Sequence, residues 1–187
     1  MAIMESDPVL GGLILERSVN SIKLPVKEYG TTGAYPEGYG YWEYGTTFHV
    51  MLISALESLT INCLQLSPGF LKTGQYMLHM TGSTGRSFNY SDNYEKAQVH
   101  PAMFWFAARN SDPTLLFQEM QLLRSTTSLE RVRELPLLVI WSAAMDLNQV
   151  APPDATMWVS AEANAVAAIR SGWGRDDTFL GLKAGSP

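Results

Sequence analysis

The most regular hydrophobic periodicity in the chain runs through Phe48, Met51, Leu52, Ala55, Leu56 and Leu59, at offsets of three, four, seven, eight and eleven residues. That spacing defines one apolar face of an α-helix. Shorter patterns of the same kind recur on both sides. Ser6-Asp7-Pro8 is a helix start in which Asp7 can cap the first amides and Pro8 suits the first turn. Leu10, Ile14 and Ile22, with Ser18 and Ser21 between them, mark the inner face of the helix that follows, and Pro25 limits it. Ser67-Pro68 restarts the chain, and Phe70, Leu71, Tyr76, Met77 and Met80 predict a helix ending at Gly82, in which His79 reads as structural or exposed. His100 to Asn110 opens with proline and turns almost wholly apolar, the pattern of a buried helix. Ser111-Asp112-Pro113 repeats the first start signal, with Leu116, Met120 and Leu123 then sharing a face. Leu129 to Met145 predicts one further helix, in which Pro136 marks either the start or a kink.

Between these segments, Gly82 to Asn93 is rich in glycine and small polar residues and predicts a loop. The pair Pro152-Pro153 stops helix and marks a boundary, after which Thr178 to Leu182 reads as a short strand preceded by a turn at Arg175-Asp176-Asp177. Helices in series with short polar joints predict antiparallel helix pairs. The chain is therefore expected to be mainly α, with residues 1–151 helical and residues 152–187 carrying short strands.

Directly ahead of the strongest helical pattern stands YPEGYGYWEYG, Tyr35 to Gly45, with four tyrosines, one tryptophan, two glutamates and three glycines. Glycine lets a backbone bend sharply, and tyrosine and tryptophan offer flat faces and polar edges suited to sugars. The stretch reads as one wall of a cleft. A plain alternative is that its aromatics plug the end of a helix bundle; Glu37 and Glu43 count against that, because unpaired carboxylates are rarely buried.

At 187 residues, 46% hydrophobic and 17% charged, the chain is the size of one ordinary domain and can bury a real core. A net charge of −5 gives no general attraction to nucleic acid or to an anionic membrane, so an acidic ligand must meet a local cationic patch. One cysteine, Cys63, excludes an intramolecular disulfide and reads as a small buried side chain. No apolar stretch reaches membrane-spanning length, and MAIMESDP lacks the basic start and apolar run of a secretion signal. Three scattered histidines and one cysteine fit no ligand spacing, so neither a metal site nor a cofactor is expected.

YPEGYGYWEYGTTFHVMLISALES resembles the helical domain of the heparinase II/III-like polysaccharide lyases, where a Tyr-rich segment leads into a helix lining the sugar cleft. SGWGRDDTFLGLKAGSP, Ser171 to Pro187, resembles the first strands of the β-sandwich domain that follows in that family, and FNYSD, Phe88 to Asp92, is a weaker match between them. The resemblance implies an incomplete α/α toroid of antiparallel helix pairs over residues 1–151 and the start of a β-sandwich over 152–187. It also makes ANAVAAIR, Ala163 to Arg170, a strand where propensity alone reads helix.

The activity so implied is β-elimination on a uronic-acid-containing polysaccharide, heparin- or heparan sulfate-like or alginate-like. That step needs a group to neutralise the sugar carboxylate, a base for the adjacent proton and an acid for the leaving oxygen. By resemblance the acid is the tyrosine that directly precedes a glycine, Tyr44 before Gly45, with Tyr41 one helical turn earlier as the runner-up. Glu37, Trp42 and Tyr39 would line the sugar on the same wall, and Asn89 and Asp92 the opposite rim, with Arg86 as the nearest cation for a carboxylate. The family's Asn-rich motif and the histidine-bearing motif of its β-sandwich have no counterpart here, and Thr32-Gly33 stands where relatives have Asp-Gly. The expectation is a piece of a bacterial, periplasmic or secreted lyase, inactive in isolation and prone to self-association through truncated surfaces. A glycoside hydrolase using Glu37 and Asp92, and a non-catalytic carbohydrate-binding module, are the alternatives.

Overall fold

All three Ser/Asp-Pro start signals are capped as the sequence implies. The amide of Leu10 donates to Asp7 Oδ1 at 2.9 Å, that of Phe70 to Ser67 Oγ at 3.1 Å, and that of Thr114 to Asp112 Oδ1 at 3.0 Å. The computed structural model describes residues 3–61, 64–125, 132–143 and 145–185. Its helices are α1 (Pro8–Ser21), α2 (Gly38–Ser58), α3 (Pro68–His79), α4 (Pro101–Asn110), α5 (Phe117–Ser125) and α6 (Leu135–Ser142), with single-turn helices at Pro25–Tyr29, Pro113–Leu116 and Leu147–Gln149. Three strands follow, β1 (Met157–Ser160), β2 (Val166–Arg170) and β3 (Phe179–Lys183). The protein is thus mainly α, with a small C-terminal antiparallel sheet in the order β1-β2-β3. Among the described residues no helix is long and apolar enough to cross a membrane.

Two helix faces differ from expectation. On α2 the buried seam is Tyr39, Trp42, Thr46, His49, Val50, Ile53 and Leu56, whereas Phe48 and Leu59 are about half exposed. The helix carries two apolar stripes, and the true seam is masked in the sequence by Thr46 and His49, which are buried although polar. The Thr46 hydroxyl is accommodated by a 2.9 Å hydrogen bond with the Tyr29 hydroxyl. On α1, Leu10 and Ile14 are also about half exposed, and only Gly11 is buried. Pro136 lies in the first turn of α6, so it starts that helix and does not kink it. The helix expected from Leu129 begins only at Leu135, and residues 129–131 and 144 of that segment, with Cys63, lie outside the described residues.

The hub of the core is α4, whose residues Pro101 to Ala107 are all buried and which packs against α2, α3 and α6. The sheet lays one face on this helical body. Trp158 meets the ring of Tyr76 edge-on at 5.4 Å, and Val166 and Ala168 join the same core cluster as Phe70 and Trp42. Helix gives way to strand after Pro152-Pro153, but the hydrophobic core runs across that point without a break.

Arg170 on β2 locks the contact. Its Nη2 donates to the carbonyls of His79 at 3.3 Å and Thr81 at 3.0 Å, at the C-terminus of α3, where helical carbonyls lack intrahelical donors and the dipole favours a cation. The guanidinium lies 3.7 Å from the centre of the Trp173 ring and 5.2 Å from that of Phe179. Burial lowers its pKa to about 10, so the group stays charged at neutral pH. The other sheet face is apolar and exposed, with Met157, Ile169 and Leu180 in one cross-strand row and Val159, Ala167 and Leu182 in the next.

Candidate functional site

Helical geometry sorts the aromatics of Tyr35 to Gly45 into two sets. Tyr39 and Trp42 turn inward. Trp42 is fully buried, its indole N–H donating to Thr73 Oγ1 at 2.7 Å, and Tyr39 is buried with its hydroxyl bonded to the Gln98 backbone at 3.0 Å. Expected to line a sugar, these two are core residues instead, since neither offers solvent a ring face. Tyr41 and Tyr44, three residues apart on the outer side, are 44% and 60% exposed. Tyr44 stacks edge-on with Phe48 at 5.1 Å. Glu37, the N-cap residue of α2, is exposed one turn ahead of Tyr41.

The entry into α2 is held from several sides. Gly38 has φ +79°, and a Cβ there would lie 2.6 Å from the Tyr90 carbonyl oxygen, so glycine is required on both counts. A Cβ at Gly45 would sit 2.8 Å from the Tyr35 hydroxyl, which explains a glycine directly after Tyr44: it lets Tyr35 lie against the helix beside the exposed phenols. The Tyr35 hydroxyl donates to Glu37 Oε2 at 3.4 Å, while burial, with the Glu37 charge added, pushes the phenol up to about 12. Tyr35 is therefore a proton holder at neutral pH. Its carbonyl accepts the Tyr90 hydroxyl at 2.6 Å, and the Tyr76 hydroxyl lies 2.6 Å from that of Tyr90.

Asn89 and Asp92 are exposed on the loop that crosses the first turn of α2, where the Asp92 carbonyl approaches the position a Gly40 Cβ would take. Arg86 is engaged elsewhere. It forms an isolated antiparallel bridge with Lys96, and its guanidinium lies 3.5 Å from the similarly exposed Glu95 carboxylate. The structure thus brings Glu37, Tyr41 and Tyr44 together on one exposed face, sets Asp92 near it, and gives Arg86 a different partner.

Sequence reasoning missed a charged cluster beneath this face. His100 is wholly buried, 4.7 Å from the Tyr39 ring, with Nδ1 3.7 Å from Glu43 Oε1 and its backbone N–H donating to Glu119 Oε2 at 2.7 Å. Burial alone would lower the His100 pKa, but Glu43, with Glu119 behind it, outweighs burial and raises it. Burial pushes Glu119 up to about 7, with the His100 charge opposing. For Glu43 burial acts upward, and His100 together with Arg133 more than offsets it, so that carboxyl is held below its usual range. No local signal joins these residues, which come from α2, the α4 N-cap and α5. The only hint was Glu43 itself, a carboxylate inside an aromatic run. The cluster fastens α2 to α4 and α5 under the exposed tyrosines.

Among the described residues no group of three His, Cys, Asp or Glu side chains is placed to hold a metal ion. No protein-family model matches the chain, and no curated protein matches it.

Proposed function

We propose that this chain belongs to a polysaccharide lyase of the heparinase II/III-like kind, that its helices form part of an α/α toroid, and that Tyr44 serves the β-elimination of a uronic acid polymer. The observation that carries this reading is the partition of the Tyr-rich stretch: Tyr41 and Tyr44 are exposed on a helix anchored from below, while Tyr39 and Trp42 anchor it. A phenol can donate a proton to a leaving sugar oxygen and, once deprotonated, remove one. Tyr44 is the more exposed of the two, is backed by Phe48, and precedes the glycine that admits Tyr35. Tyr41 and Glu37 then contact the sugar ring on the same face.

The test is product chemistry. The full-length gene product is incubated with heparin, heparan sulfate and alginate while near-ultraviolet absorbance and new reducing ends are followed together. Elimination yields both signals in step. Reducing ends without absorbance would replace the lyase with a hydrolase, and neither signal on any uronic acid polymer would overturn the proposal.

A further inference from the structure

Helix α5 buries polar residues where α4 buries apolar ones. Its two buried residues are Gln118 and Glu119, while Phe117, Met120, Leu122 and Leu123 reach the core only in part. Among the described elements it packs closely only on the single-turn helix Pro113–Leu116 that leads into it. Among the described residues, one hydrogen bond joins it to another helix: Glu119 Oε2 accepts the backbone N–H of His100, the N-cap residue of α4, at 2.7 Å. That N-cap makes no side-chain cap of its own, so Glu119 serves from a different helix the amide that the glutamate of a capping box serves from within.

The contact lies where a charge is costly. His100 comes to it from the α4 N-cap, Glu43 and the Tyr39 phenol from α2, and Glu119 from α5. Glu43 is the carboxylate paired with the ring, Oε1 standing 3.7 Å from Nδ1, and its side chain is 28% exposed. Arg133, ahead of α6, adds a cation on the Glu43 side. Glu119 is 3% exposed, and neither ring nitrogen of His100 has a hydrogen-bond partner. One buried imidazolium neutralises one carboxylate, and the carboxylate with access to water takes that part. Glu119 is left to keep a proton, which agrees with burial pushing it up to about 7, and burial likewise keeps Tyr39 protonated. Losing the Glu119 proton sets a second negative charge on the dry side of the cluster.

We propose that α5 is a pH-released latch, closed on the α4 N-terminus while Glu119 is protonated and swung out to carry the charge into water once that proton is lost. The opening is local, because little apolar surface holds α5, whereas α4 keeps Pro101 to Ala107 buried and its His100 keeps the pair with Glu43. A carboxyl that ionises at about 7 when closed and at 4.5 in water favours the open form by on the order of 10²-fold when fully ionised. The latch works whatever reaction the exposed tyrosines serve.

Hydrogen exchange of this chain across about pH 6 to 9, corrected for the intrinsic pH dependence of amide exchange, reads the opening directly. Protection of the α5 amides falls by ~10–10²-fold over that range, while amides of α4 and α2 keep theirs within a few-fold. Glu119→Gln, which offers the His100 amide an uncharged acceptor, removes the pH dependence of α5. Carbon-13 NMR of the Glu119 carboxyl in the unmodified chain gives a reading that does not need the variant to fold: the carboxyl titrates at about 7, together with the loss of protection. A Glu119 carboxyl that titrates at the ordinary 4.5, α5 protection that is flat with pH, an equal fall in α4, or the same fall in Glu119→Gln would each overturn the latch.

Discussion

The indole N–H of Trp42 donates to Thr73 Oγ1 at 2.7 Å, and the Thr73 hydroxyl in turn donates to the Gly33 carbonyl at 2.7 Å. One relay therefore ties α2 to α3 and both to the loop that delivers Tyr35 and Glu37. Trp42→Phe, which removes the donor and part of the ring, is expected to cost ~1–3 kcal/mol in denaturant unfolding, and Trp42→Ala ~3–5 kcal/mol. Turnover per folded molecule should change only a few-fold for Trp42→Phe. A selective loss of turnover at unchanged stability would place Trp42 in the substrate site despite its burial.

The sheet depends on Arg170. Arg170→Met keeps an apolar stem against Trp173 and Phe179 but leaves the His79 and Thr81 carbonyls without their donor, at an expected ~2–3 kcal/mol. Hydrogen exchange locates the loss: amides of β2 and β3 should exchange faster while those of α4 keep their protection. Equal acceleration in α4 would mean the sheet is not a separable layer.

Local signals carried much of the fold. Asp7, Ser67 and Asp112 act as caps because capping is decided within three residues, and Pro136 starts α6 for the same local reason. The α2 seam was not legible. Choosing between the stripe through Phe48 and Leu59 and the stripe through Trp42 and Ile53 requires knowing where α3 and α4 lie. At the candidate site, the Tyr35 to Gly45 stretch leads into the N-terminal turns of α2, and its period of three to four separates Tyr41 and Tyr44 from Tyr39 and Trp42 only once the buried side is known. The Glu43, His100 and Glu119 cluster was invisible because its members are far apart in the chain and meet through tertiary packing.

Acid sensitivity follows from two buried histidines. Burial holds His49 at about 4, and burial together with nearby Arg170 holds His79 at about 4, both below the ordinary 6.5. The unfolded chain therefore takes up protons that the folded chain refuses, and stability present above about pH 6.5 is lost as pH falls toward 4. Glu119 has the opposite sign: raised from 4.5 to about 7, it stabilises fully below 4.5 and loses that contribution as pH rises through 7. Two groups against one leave melting temperature rising between about pH 4.5 and 6.5. Glu119→Gln, which keeps an acceptor for the His100 amide, should steepen that rise; a flat profile in both proteins would refute the histidine account.

The exposed sheet face should make the chain associate. Leu180 and Leu182 are each 50% exposed beside Met157 and Val159, a continuous apolar surface across three strands. Light scattering of the wild type should show mass rising with concentration, and Leu180→Thr with Leu182→Thr should suppress the rise while leaving the inner face intact. A wild type that stays monomeric at high concentration would remove this face from consideration.

The proton-transfer role proposed for Tyr44 is tested most directly by turnover of the full-length gene product carrying Tyr44→Phe, with Tyr41→Phe as the control. Each change deletes one exposed hydroxyl and keeps the ring, so melting temperatures should match the wild type. Tyr44→Phe should lower kcat for the near-ultraviolet-absorbing product by at least ~10²-fold, the scale of general acid–base catalysis, and Tyr41→Phe by only a few-fold. If Tyr44→Phe eliminates at close to the wild-type rate, Tyr44 does not carry the proton and the mechanism proposed for this helix face is wrong.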